Sequence, residues 1–140
     1  MRKGDTILFD CPPRVLAGAA VGGSHIVDSV VIPMVHPQVV AAINAASVPD
    51  GPGAVGVLEF FSITAAVYAA DAAVKAADIT LLDVRLGLGI GGKSFVTMTG
   101  EVAAVNEAVQ AGAKQGCERG LMLAKVVIPN PRPEIFESLM

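Results

Sequence analysis

Tryptophan is absent from the 140-residue sequence, tyrosine occurs once, and cysteine and histidine occur twice each. Two cysteines cannot supply a four-thiolate metal site, and Cys11 and Cys117 read instead as small buried apolar residues rather than a disulfide framework. No Cys/His spacing suggests zinc, so no metal and no cofactor is expected. Charge is also scarce. Lys plus Arg number 10 against 13 Asp plus Glu, a net charge of -3 that offers no general attraction to phosphate backbones or anionic lipid. Nucleic acid and membrane are therefore not expected partners. The longest charge-free run, Ser29 to Pro49, contains Pro33, Pro37 and His36 and does not read as a spanning helix. Near Met1 there is no apolar stretch of the length a secretory signal needs, and the expected location is cytoplasmic.

What is abundant is small and apolar. The chain is 53% hydrophobic with a mean hydropathy of +0.61, much of it Ala, Gly and Val. Such side chains let backbones approach closely but leave few polar groups to cover the surface, so some apolar surface is expected to meet another subunit.

Periodicity gives an order of elements from Gly53 onward. Gly53 to Phe61 is a short apolar run suited to a buried strand. A helix follows, with Thr64 as its expected cap, Val67, Ala70, Val74 and Ala77 on one face, and Asp71 and Lys75 four apart as a helix-surface ion pair. Ile79 to Leu86 and Ser94 to Thr99 read as a hairpin around the glycine-rich turn Gly87 to Gly92. Glu101 to Ala113 reads as a second amphipathic helix behind an acidic first turn, Leu121 to Ile128 as a fourth strand, and Glu134 to Met140 as a short terminal helix. Strand, helix, strand, strand, helix, strand is the ferredoxin-like α+β arrangement.

The first 52 residues carry a partial repeat. Val30-Val31-Ile32-Pro33 and Pro37 match Val126-Val127-Ile128-Pro129 and Pro133 at a constant offset of 96, and Val15 to Ala19 resembles Val109 to Ala113. The expected organisation is a partial domain, the back half of a repeat, at 1–46, a linker at 47–52, and a complete domain at 53–140. On this reading the front half of the first copy has no counterpart upstream of Met1. The partial copy must pack on the complete unit or on another subunit, with its Val30 to Pro33 strand expected at the sheet edge of an adjacent subunit or in a small sheet of its own.

Motifs for chemistry are weak. Gly87 to Ser94 fits the spacing of a phosphate-binding loop, and Gly87, Gly89 and Gly92 fit a dinucleotide fingerprint, but both motifs need a helix where this sequence has the β-rich Phe95 to Thr99. A nucleotide- or small-molecule-binding sensor using this loop remains the alternative to a structural hairpin. No catalytic residue is assigned: Ser24, His25 and Asp28 are adjacent in sequence without triad geometry, and His36 before Pro37 reads as a surface or interface residue. Glu59, on a buried strand, is expected to find a partner at a subunit contact.

Ala54 to Glu59, Ala70 to Ile79 with Asp71 and Lys75, the glycine turn, Thr99 to Val105 and Val127 to Glu134 together resemble a bacterial microcompartment shell protein. The repeated Val-Val-Ile-Pro element and the linker are similar to the tandem-domain subclass of the propanediol-utilisation type, in which two domains per chain form a trimer that mimics a hexamer. The resemblance implies a non-enzymatic shell subunit, assembling as a trimer or hexamer into disks and joining other shell proteins around encapsulated enzymes. It further implies a pore for small metabolites lined by Gly87, Leu88, Gly89, Ile90, Gly91 and Gly92, and disk-edge contacts at Lys75 and Arg132. Some relatives hold an iron–sulfur cluster through a first-domain cysteine, but Cys11 lies outside any recognisable pore turn and is assigned none.

Overall fold

The computed structural model describes residues 2–3, 6–7, 28–45, 51, 53–87, 92–118 and 121–138. Arg2–Lys3 (β1) pairs antiparallel with Thr6–Ile7 (β2), and Pro37–Asn44 forms helix α1. The larger unit runs β3 (Ala54–Phe60), α2 (Ile63–Ala76), β4 (Ile79–Leu86), β5 (Ser94–Gly100), α3 (Val102–Glu118), β6 (Met122–Ile128) and α4 (Pro133–Ser138). Its four strands lie in the order β4-β5-β3-β6, every pair antiparallel, which is the predicted ferredoxin-like sheet.

Helices α2 and α3 cover one face of this sheet, and small residues set how closely they lie. The buried stripe of α2 is Ala65, Ala66, Ala69, Ala70 and Ala73. Opposite it, a Cβ on Gly112 of α3 would stand 3.0 Å from the Ala69 carbonyl oxygen and 2.7 Å from Leu58 Cδ1. A Cβ on Gly56 of β3 would likewise meet Val105, Val109 and Met98 within 3.0 Å. Gly56, Leu58 and Phe60 therefore face the helices, and by the two-residue period of a strand Val57 and Glu59 face the other side.

Several boundaries differ from the sequence reading. Ser62, not Thr64, caps α2: its hydroxyl accepts from Ala65 N, while Thr64 sits in the first turn and donates to Asp28. Helix α3 continues past Ala113 to Glu118, where Gly116 is a contact point against Phe60 rather than a breaker. Its first turn holds no acidic residue; Glu101 precedes it, and the Glu101 carbonyl takes the Val105 N–H. Cys117, expected to be buried, is exposed beside the inward-facing Gly116. Cys11, His25 and Val15 to Ala19 lie outside the described residues.

Residues 28–45 dock on the larger unit, though not as predicted. Val30 to Ile32 form no strand. The attachment is α1, whose Val39 and Ala42 are buried in the common core. Gln38 completes the join to edge strand β4: its Oε1 accepts from Leu81 N at 2.9 Å and its Nε2 donates to Ile79 O at 3.4 Å. One side-chain amide thus occupies a donor and an acceptor that an open edge would leave to another strand. At the other end Asp28 accepts from Ser62 and Thr64 at the start of α2.

Candidate functional site

Strands β3 and β5 are antiparallel, as are β3 and β6, so the end of β3, the start of β5 and the start of β6 meet at one end of the sheet. The β4–β5 turn lies there. Gly87 is half-buried; Gly92 is exposed with φ +80°, a backbone conformation that favours glycine. Leu88, Gly89, Ile90 and Gly91 fall outside the described residues. Directly after Gly92, Lys93 Nζ lies 3.2 Å from Glu59 Oε1 and 5.7 Å from the centre of the Phe61 ring. Within the chain, Glu59 is thus paired with Lys93.

This geometry is unlike a phosphate loop. Lys93 is occupied by a carboxylate, and Ser94 opens a strand, fully buried, with its hydroxyl donated to Ser62 O at 2.9 Å. A phosphate site of this kind needs a helix N-terminus there. ATP or GTP with magnesium is accordingly expected to leave the melting temperature unchanged; a reproducible rise at sub-millimolar nucleotide, abolished by Lys93→Ala, would restore the phosphate-loop reading.

Lys75 lies in the last turn of α2, where a cation also suits the helix dipole. Its ammonium donates to Asp71 Oδ2 at 2.5 Å and to Met34 O at 3.0 Å. The pair with Asp71 forms as predicted, but Asp71 is only 4% exposed because segment 28–45 covers it, and its Oδ1 accepts from His36 N at 2.8 Å. Met34 has φ +54° and is 91% exposed, so the Lys75-bound turn holds an apolar side chain out into solvent. His36 is the cap of α1, with its Nδ1 accepting from Gln38 N at 3.3 Å.

Arg132 is exposed between Pro131 and Pro133 at the start of α4. Among the described residues no hydrogen bond or ion pair joins it to Lys75. It is, however, the counterpart of His36 at the repeat offset, and the backbone repeats with it: Val39 N donates to His36 O, and Ile135 N donates to Arg132 O, both at 3.0 Å. Pro37 and Pro133 open the two helices, where a missing N–H costs nothing. Gln38, Met34 and Asp28 were not singled out for these contacts by sequence reasoning; the available signal for Gln38 was a polar side chain inside an apolar run.

Among the described residues, no helix is long and apolar enough to cross a membrane, and no cluster of three or more His, Cys, Asp or Glu could hold a metal ion. Comparison with known proteins agrees with the fold. Residues 54–131 match the BMC domain. The chain is 36% identical over 126 residues to the bacterial microcompartment shell protein PduT of Citrobacter freundii, spanning 90% of this chain and 68% of that protein. It is 37% identical over 87 residues to the shell protein PduA of Salmonella typhimurium, spanning 61% of this chain and 89% of that one. A crystal structure of a microcompartment protein from Desulfitobacterium hafniense superposes with a TM-score of 0.80 at 44% identity, covering 88% of this chain and 68% of that chain. The chain belongs to the BMC-domain family of bacterial microcompartment shell proteins.

Proposed function

We propose that this shell subunit forms a ring with trimeric or hexameric symmetry, that its glycine turn Gly87 to Gly92 lines a central opening for small metabolites, and that the rings tile through edges carrying Lys75 and Arg132. The role is structural rather than enzymatic, with other shell proteins as lateral neighbours and encapsulated enzymes on one side. Residues 1–46 act as the back half of a second BMC domain, joined by 47–52 to the complete domain at 53–140.

The observation that carries this reading is the repeated docking element. Segment 28–45 covers the α2/β4 edge through a proline-started helix, a capping residue and two buried apolar side chains. Part of this element recurs 96 residues later: Pro133 opens α4 as Pro37 opens α1, and Ile135 N donates to Arg132 O as Val39 N does to His36 O, whereas Val126 to Ile128 lie in β6 and Val30 to Ile32 form no strand. An element that seals one edge within the chain and is then presented again suits a head-to-tail contact with an equivalent edge, and such contacts close into rings when the rotation permits. Small residues at the glycine turn suit the convergence of several copies at the axis.

Light scattering and electron microscopy test the two levels separately. Lys75→Gln keeps a donor for buried Asp71 but removes the charge, and Arg132→Ala removes the other edge cation. Both variants are expected to keep the wild-type ring mass while forming fewer or smaller sheets, since an exposed ionic contact contributes only about 1 kcal/mol but repeats around every disk. A monomeric wild-type chain would overturn the ring, and undiminished sheets from both variants would overturn the edge assignment alone.

A further inference from the structure

Cations stand at both ends of the glycine turn: Arg85 near the end of β4 and Lys93 immediately after Gly92. Each is held by a carboxylate, Arg85 Nη2 by Asp83 Oδ2 at 3.0 Å and Lys93 Nζ by Glu59 Oε1 at 3.2 Å. The strand register places these groups together. Arg85 and Glu59 both pair with Phe95, from opposite sides, so Arg85, Phe95 and Glu59 form one row across the sheet, on the face turned away from α2 and α3. Glu59 and Arg85 lie two strands apart in that row, about 10 Å, which leaves Lys93 as the cation that Glu59 holds. The residues of the turn itself, Gly87 to Gly92, carry no charge.

We infer that Glu59 sets the charge of the opening by holding the Lys93 ammonium on the sheet face, so that the entrance is electrically balanced and suited to uncharged polar metabolites. The inference rests on the glycine turn lining a pore. Lys93 is the nearest charge to the turn on its β5 side, and its side chain is 39% exposed, free enough to swing toward the axis once released. Glu59 is 21% exposed and fixed on a central strand, which makes it the stationary member of the pair. Phe61, half-exposed beside the ammonium, adds an attractive ring face on the same side. In a ring the choice is multiplied, because every copy places one Lys93 around the same axis, and a circle of like charges focuses potential in a narrow opening.

Rings of the wild type, Glu59→Gln, Lys93→Gln and the double variant are to be inserted into planar bilayers, and the reversal potential in a potassium chloride gradient gives the chloride-to-potassium permeability ratio. The wild type is expected to discriminate weakly. Glu59→Gln should raise the ratio by about threefold, Lys93→Gln should lower it, and the double variant should return to the wild-type value. A merely structural role for the pair would not produce opposite signs from its two members, nor restoration by removing both. If Glu59→Gln does not assemble, Lys93→Gln alone carries the test, with an unchanged ratio counting against the inference. Conducting rings with equal ratios in all variants would overturn the role of Glu59 and leave the pore standing; wild-type rings that do not conduct would overturn the pore and this inference together.

Discussion

Gly116→Ala is expected to lower the stability of the protein by about 2 kcal/mol, although an alanine in place of glycine ordinarily favours a helix by about 1 kcal/mol. The sign follows from the space available. A Cβ at position 116 would stand 2.2 Å from Phe60 Cε1, 2.9 Å from Phe60 Cδ1 and 3.2 Å from Met122 Cβ. The Phe60 ring cannot swing outward, since it is fully buried between the sheet and α3. Either the ring leaves its rotamer or the last turns of α3 lift from the sheet, and both forfeit close packing along the row that Gly112 begins. Urea denaturation at one fixed protein concentration measures the loss without mixing in changes of assembly. The specific check is the pair with Phe60→Leu, which removes the ring atoms that a new methyl group would strike. Alone, Phe60→Leu should destabilise. In that background Gly116→Ala should cost at least 1 kcal/mol less than in the wild type, as expected for residues in direct contact. Equal costs in both backgrounds, or a wild type made more stable by Gly116→Ala, would show that α3 is not held by this contact.

The same glycines explain why part of the fold was hidden in the sequence. The order from β3 to β6 was legible because apolar runs alternate with helical stripes, and strand β4 falls where its composition places it, at Ile79–Leu86. Helix α3 read five residues short: Gly112 falls on its apolar face, but Gly116 lies beyond the expected end, and only the opposing Phe60 reveals it as a point of close approach. The cap of α2 was missed for a related reason. Ser62 and Thr64 both carry hydroxyls, and the choice depends on Asp28, which arrives from more than 30 residues away. The pair of Asp71 and Lys75 was legible from its spacing, but its burial was not, since the covering backbone belongs to Met34 and His36. The repeat was visible by self-comparison. Its conformation was not, because Val30 to Ile32 repeat the sequence of β6 without its sheet partner β3. At the turn, local composition marked glycine as necessary, while the link from Lys93 to Glu59 spans 34 residues and follows from strand register.

That long-range cover gives the second large effect. Asp71→Ala is expected to loosen the docking of segment 28–45 by about 2 kcal/mol while leaving the four-stranded sheet folded. The carboxylate is 4% exposed and serves both sides of the join: Oδ1 accepts from His36 N at 2.8 Å, and Oδ2 accepts from Lys75, whose ammonium also reaches Met34 O. Alanine leaves the His36 N–H without this acceptor and removes the charge that holds Lys75 against the turn. The cost falls below the 3–5 kcal/mol typical of breaking a fully buried pair, because Lys75 is 43% exposed and its ammonium can return to water. Hydrogen exchange locates the effect. Amides of α1 and the Leu81 amide, which Gln38 covers, should exchange more than tenfold faster, since each 1.4 kcal/mol of local opening is a factor of about ten. Amides at the centre of β3 and β5 should hold their rates. Asp71→Asn separates the two contributions: its amide oxygen can still accept from His36 N, while its NH2 replaces the acceptor of Lys75 and removes the charge, so its effect should be smaller than that of Asp71→Ala. Unchanged α1 protection in Asp71→Ala would mean that the buried Val39 and Ala42, with the Gln38 bonds, hold the segment unaided. Faster exchange throughout the sheet would mean that the segment belongs to a single cooperative unit with it. The ring model needs the first pattern, local release over an intact sheet, because an edge that opens without unfolding the domain is an edge that a neighbouring copy's matching element can also seal.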